Sequence, residues 1–243
     1  KTTLSILNDI HEQFCYLFVG HWLQGQMGED RKNVSGLIHT FLDTFKGKYG
    51  SKPALILKTG GATSSIMDRM DIEKKINQIR KLMGNESNLP NIYLLHGELS
   101  DTEMNSLYNH KKVKSMISFT KAEGFGRPLL EFASTGKLII APHYSGQQDF
   151  LVKDLIIALP GGLTEIHPSA RNPFLIEGAK WFTPDYGYAK KAMREIHKHY
   201  NKFVELGKKQ KKHVLENFTI SSIKLQYKKV FDLISETVSK IPS

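Results

Sequence analysis

The 243 residues allow one large domain or one and a half ordinary ones, and 40% hydrophobic with 24% charged residues is the balance of a globular chain, not of a disordered or fibrous one. The formal net charge of +10 favours anionic partners, whether nucleotides, nucleic acid or an acidic membrane face. One cysteine, Cys15, excludes an internal disulfide framework and points to a reducing, cytoplasmic setting. No segment is long and apolar enough to cross a bilayer as a helix, and no signal peptide opens the chain. The first residue is Lys1 and not Met, so removal of an upstream segment is expected.

Strand-like and helix-like patterns alternate over the first two-thirds. Phe14 to Val19 is a continuous apolar run closed by Gly20, as in a buried parallel strand, and makes Cys15 a buried strand residue instead of a nucleophile. A polar, Gly-rich loop leads to Val34–Phe45, where Leu37, Ile38, Phe41, Leu42 and Phe45 repeat with a helical period. Ala54–Leu57 is a second strand. Ile72–Met83 is a helix with Ile72, Ile76, Ile79 and Leu82 on its apolar face. Asn91–Leu95 is a third strand, and Ser100 with Glu103 forms a capping box for a helix reaching about Asn109. Ser115–Phe119 is a fourth strand, Leu129–Thr135 a helix closed by Gly136, Leu138–Ala141 a fifth strand and Leu155–Leu159 a sixth. From Gly161 to Asn172 the pattern dissolves into loop. After Pro184 and Asp185 one long amphipathic helix is expected, with Ala192, Ile196, Tyr200, Phe203 and Gly207 on its face. A last helix spans about Ser221 to Ser235. The lysine run from Lys208 to Lys212 reads as an exposed helix face.

This rhythm predicts an α/β fold, a doubly wound, Rossmann-like parallel sheet. Its domain reading is a leading segment over 1–13, a Rossmann-like domain over 14–183 and closing helices over 184–243. Ligands of such sheets sit beyond the carboxyl ends of the strands. The polar clusters fall there: His21–Asn33, Lys58–Gly61, His96–Asp101, Thr120–Arg127 and His143–Asp149.

One of these clusters carries the most chemistry. Glu123-Gly-Phe-Gly-Arg-Pro-Leu-Leu-Glu131 sets two carboxylates around a turn that opens a helix. Pro128 suits the first helical position, and the N–H groups before it are free to face an anion. Gly124 and Gly126 let the backbone approach a ligand closely. Ionised carboxylates accept hydrogen bonds from sugar or ribose hydroxyls. From the residues alone the segment is either such a site or a tight turn followed by an exposed glutamate, and Lys32 either an anion ligand or a solvated lysine. His residues lack ligand spacing and no Asp-x-Asp occurs, so no metal site is expected. No separate cofactor is called for.

Glu123 through Glu131 resembles the E-x7-E motif of retaining glycosyltransferases of GT-B fold, above all the large family numbered four. Ala133–Ala141 and Ser145–Leu151 resemble its next helix, strand and sugar-facing loop. Leu17–Gly20 resembles the first strand of its C-terminal domain, and Arg31–Ile38 the basic segment behind it. His96–Asp101 resembles its nucleobase loop, and Trp181–Phe231 its closing helices. The resemblance implies the C-terminal, donor-binding half of a metal-independent enzyme, with the N-terminal GT-B domain missing from this chain and a UDP-, GDP- or ADP-linked sugar as donor. It makes residues 1–13 a linker or remnant of that missing domain and 14–183 the nucleotide-binding domain. It assigns Glu123 to hydroxyls of the transferred sugar, Glu131 to the ribose, and Lys32 to the leaving diphosphate. The backbone N–H groups of Phe125, Gly126 and Arg127 would border the sugar and diphosphate, beside Gly124. His96, Gly97 and Leu99 belong to the base loop. His21 stands where many relatives carry Arg, so Arg31 or Lys58 is expected to supply that charge. The other readings are a nucleotide-sugar-binding subunit completed by a separate chain, and a transferase directed to nucleic acid. No aromatic-basic interleaving accompanies the charge, which counts against nucleic acid. Contact with an acidic membrane face stays open.

Overall fold

The computed structural model describes residues 3–47, 50–61, 63–84 and 88–238. Six parallel strands form the central sheet: β1 (Cys15–Val19), β2 (Ala54–Lys58), β3 (Ile92–Leu95), β4 (Val113–Ile117), β5 (Leu138–Pro142) and β6 (Ile157–Leu159), in spatial order β3-β2-β1-β4-β5-β6. The order reverses between β1 and β4, the switch point of a doubly wound sheet.

The period of two along each strand divides the core. Tyr16 and Phe18 of β1 enter one apolar layer with Phe41, Phe45 and Ile72. Cys15 and Leu17 enter the other with Phe132, Phe150 and Val214. The first layer is covered by α2 (Val34–Phe45), α3 (Ile66–Leu82) and α6 (Tyr186–His199). The second is covered by α1 (Thr3–Asn8), α4 (Asp101–Asn109), α5 (Arg127–Ala133) and α7 (Val204–Asn217). Cys15 is fully buried, and burial pushes its thiol up to about 12, so it is a packed strand residue.

Several segments differ from the sequence reading. The stretch read as linker contains α1, whose Leu7 sits with Ile10 inside the second layer. The Lys112 ammonium closes its end by donating to the carbonyls of Leu7 (3.2 Å), Asn8 (3.1 Å) and Ile10. The stretch read as loop after Gly161 begins with β7 (Gly161–Glu165), paired antiparallel with β8 (Lys180–Pro184). All five β7 residues are exposed, so no apolar alternation marked it. The long helix expected after Asp185 is two helices, α6 and α7, joined by a 3-10 turn at Tyr200–Lys202. Met193 and Ile196 of α6 belong to the first layer and Val214 of α7 to the second, so the chain must round the sheet edge, which a straight helix cannot do. Helix α3 starts at Ile66, capped by Ser65, and Leu82 is exposed. Within the lysine run, Gln210 is buried and ties α7 to the Phe150 carbonyl (2.7 Å) and the Val152 N–H (3.0 Å).

Helix α8 (Ile220–Val238) closes the described chain. Its Ile220, Tyr227, Val230, Phe231 and Ile234 are all at least half exposed. At helical spacing they form one apolar stripe that no other described element covers.

Candidate functional site

The carboxyl ends of β1 and β2 and the loop after β3 open into a cleft of about 890 Å³ beside the switch point. Its walls come from Gly20 and His21 after β1, Thr59 to Gly61 after β2, Gly97 to Leu99 after β3, one face of α4 and the start of α5. Lys32, Lys58 and Arg127 bring positive charge; Glu98, Asp101 and Glu131 bring negative charge.

Helix α5 runs from Arg127 to Ala133, starting one residue before Pro128, the expected first position, and ending before Thr135: Gly126 caps it at φ 92°, a left-handed conformation natural to glycine, and Arg127 and Pro128 open the first turn. Among the described residues, the N–H groups of Phe125, Gly126 and Arg127 donate no hydrogen bond. One turn on, Glu131 is held at both oxygens. Oε2 accepts from the Tyr108 hydroxyl at 3.0 Å, and Oε1 lies 3.1 Å from Arg127 Nε. Burial, then the Glu131 charge, raises the Tyr108 hydroxyl well above the usual phenol range, so it stays a proton donor.

Lys32 and Glu123, 91 residues apart in the chain, meet beside the cleft, with Nζ 2.5 Å from Oε1. Their side chains are 12% and 9% exposed, so the pair is largely out of water. Arg31 Nη1 reaches the other Glu123 oxygen at 3.3 Å and the Ala122 carbonyl at 2.5 Å. The Glu123 N–H donates to Ser145 Oγ (2.8 Å), and the Glu123 carbonyl accepts from the Gly146 N–H (3.0 Å). Glu123, Gly126 and Lys32 share a narrow recess that adjoins the cleft, through Lys32, Val19 and Pro128.

The structure brings Lys32, Lys58, Gly97, Leu99, Arg127 and Glu131 to one cavity, with Glu123 and Gly126 next door. Gly124 and Phe125 lie on the rim, where the Phe125 ring rests on Phe150. Two expected residues point elsewhere. The His96 ring turns to Asp68 (Nε2 to Oδ2 2.7 Å), whose carboxylate accepts the Gly61 N–H at 2.8 Å; His96 thereby shapes the Gly60–Gly61 wall without lining the cleft. Arg31 is spent on Glu123 and Ala122. Of the two cations expected to stand in beside His21, Lys58 is the one in the cleft. It donates to the Gly97 carbonyl at 2.6 Å, and burial lowers its pKa, with Glu98 opposing. His143 is structural: its ring meets the Leu151 carbonyl and the Gln148 amide.

Beyond Asp101, already placed in the base loop, the sequence reading missed the lining residues Met104, Asn105 and Tyr108 of the same helix. With Asp101 they stand at i, i+3, i+4 and i+7 of α4, one helical face, and that spacing was the signal that could have found them. Buried Asp30 adjoins the basic segment. Among the described residues its Oδ1 has no partner, and burial raises its carboxyl to about 6 against the bonds from Val34 and Asn33.

No protein-family model matches the sequence, and no curated protein is significantly similar to it. Solved structures do resemble the fold. The C-terminal domain of a glycosyl transferase group 1 family protein from Francisella tularensis has a TM-score of 0.60 at 15% identity, over 90% of this chain and 93% of that one. The Anabaena protein HepE, in complex with UDP and glucose, has a TM-score of 0.59 at 13% identity, over 98% of this chain and 52% of that one. A UDP-forming α,α-trehalose-phosphate synthase from Burkholderia vietnamiensis has a TM-score of 0.63 at 10% identity, over 100% of this chain and 49% of that one. The fold is therefore that of the C-terminal domain of GT-B glycosyltransferases. The chain spans about half the length of the two larger proteins it resembles.

Proposed function

We propose that this chain is the donor-binding half of a glycosyltransferase that moves a sugar, with retention and without a metal ion, from a nucleoside-diphosphate sugar to an acceptor. The observation that carries the reading is the cleft beside the switch point: it is lined by the cations Lys32, Lys58 and Arg127, by the doubly held carboxylate of Glu131 and by the start of α5 with its unpaired N–H groups. Glu131 takes the ribose hydroxyls, because an ionised carboxylate fixed by Tyr108 and Arg127 accepts hydrogen bonds without reorganising. Lys58 and Lys32 face the diphosphate, Lys32 giving up part of its contact with Glu123 as negative charge grows on the leaving group. Glu123, relieved of that contact, accepts from hydroxyls of the transferred hexosyl group. Gly97 to Leu99 border the base.

Uridine is the favoured base, because similar folds were solved with UDP or belong to a UDP-forming enzyme. Two of the matched proteins are about twice as long, and α8 leaves an apolar stripe uncovered. Both support a second domain that closes the cleft and supplies the acceptor site, so the isolated chain binds donor and transfers poorly.

Thermal melting with UDP, GDP and ADP tests this. A nucleotide at about one hundred times its Kd stabilises a fold by ~2.7 kcal/mol, a rise of roughly 5–10 °C at this size. The expected result is a rise of that order with UDP. No rise with any of the three, up to millimolar concentration, overturns the reading.

A further inference from the structure

The edge of the sheet opposite the cleft, where the strands begin, gathers lysines from three separate parts of the chain. Lys111 and Lys114 flank the entry to β4, Lys137 ends the turn into β5, and Lys208 and Lys211 lie on the first turns of α7. Backbone packing holds them together. A Cβ on Gly207 would lie 2.4 Å from the Gly136 carbonyl oxygen, so α7 rests directly on the turn that carries Lys137. A Cβ on Gly136 would lie 3.3 Å from the Lys211 side chain. Lys137 is fixed by the carbonyls of Tyr108 (2.7 Å) and His110 (2.8 Å). Burial and then Lys114 lower its pKa to about 8, while Lys112, Lys137 and Lys111 add to the burial that lowers His110. Lys208 pairs with Glu205; among the described residues the other four have no carboxylate partner. Like charges held this way repel one another, and an anion laid across them would remove that cost.

We propose that this edge is a docking face for an anionic membrane surface, carried by Lys111, Lys114, Lys208 and Lys211 around the internally anchored Lys137. All five are lysines, compact charges suited to a sheet of headgroups, with none of the arginine forks that read phosphate and base edges. The rings at this edge, Phe14 and Tyr200, are half-buried and packed edge to face at 5.5 Å, with the Tyr200 hydroxyl bonded to the Lys114 carbonyl, so neither offers a free face for base stacking. A chain held by this edge turns its cleft away from the bilayer, open to solution.

Co-sedimentation with vesicles tests the face, using phosphatidylcholine alone and phosphatidylcholine with about a third phosphatidylglycerol. Binding is expected to the second only, and to fade as salt rises. Each lysine near such a surface is worth about fivefold in partitioning, so Lys111→Gln/Lys114→Gln/Lys211→Gln should weaken binding about 100-fold. Lys74→Gln/Lys81→Gln/Lys228→Gln, which removes the same charge from exposed positions on α3 and α8, should change it about fivefold or less. Melting temperatures of all variants report folding, and if Lys114→Gln unfolds the chain, the Lys111/Lys211 pair alone should lose about 25-fold. No binding to anionic vesicles at low salt overturns the proposal. So does an equal loss in both triple variants. So does preferential binding of an oligonucleotide through the same lysines, which would make the face a nucleic-acid surface.

Discussion

Replacing Lys32 with alanine strands a carboxylate that the fold keeps from water. Glu123 is 9% exposed, and its short contact to Lys32 would be gone, leaving Arg31 at 3.3 Å on the other oxygen. Deleting one partner of a buried ion pair costs ~3–5 kcal/mol when nothing else compensates. Arg31 keeps part of the compensation, so roughly 2 kcal/mol is expected, a fall of about 4–8 °C in Tm for a chain of this size. The stranded charge is the cause, so Glu123→Gln in the Lys32→Ala background should restore about 1 kcal/mol or more, although it removes a second native side chain. Urea denaturation of the wild type, both single variants and the double variant closes the cycle. Simple additivity, with a coupling under about 0.5 kcal/mol, would refute the idea that the two side chains are held by each other before any ligand arrives.

Tyr108→Phe keeps the ring against Phe132 and removes one donor to Glu131. Melting should change little, while UDP affinity measured by calorimetry falls about tenfold, since a hydrogen bond to a charged group is worth ~1.5–3 kcal/mol. Gly146→Ala would put a methyl 2.1 Å from the Gly124 carbonyl oxygen, forcing the motif loop outward. Overpacking of this kind costs ~1–3 kcal/mol, readable in urea, and the displaced Glu123 loop should weaken donor-sugar binding more than UDP binding. Asp30, raised from 3.8 to about 6, favours the folded state in its protonated form. Its contribution is fully present below about pH 4 and lost as pH rises through 6, so urea stability should fall by ~2–3 kcal/mol across that window, and Asp30→Asn should flatten the fall.

The sheet was legible because its central strands, β1, β2, β4 and β5, are buried on both faces. Runs such as Phe14–Val19 and Leu138–Ala141 have no other stable use, and the Ser100/Glu103 capping box, present in full, marked α4 by local chemistry alone. What escaped the sequence depends on contacts between distant elements. Strand β7 is exposed throughout and exists because β8, some twenty residues on, lies beside it. The break between α6 and α7 follows from the two core layers, invisible to a helical period that continues through Tyr200 and Phe203. The Glu123–Glu131 segment announced its two acids, yet nothing local showed that one is locked to Lys32 and the other to Tyr108. The His96 loop was legible as a polar cluster, but not that its ring would turn to Asp68 while Gly97 to Leu99 line the cleft.

The central claim is that the carboxyl-edge cleft holds a nucleoside diphosphate through Glu131 and Lys58. Calorimetric titration of the chain with UDP, set beside Glu131→Ala and Lys58→Met, tests it most directly. Saturable one-to-one binding is expected, weakened about tenfold or more in each variant, as loss of a hydrogen bond or ion contact to a charged group requires. Binding of undiminished strength in both variants, or none in the wild type, would contradict it.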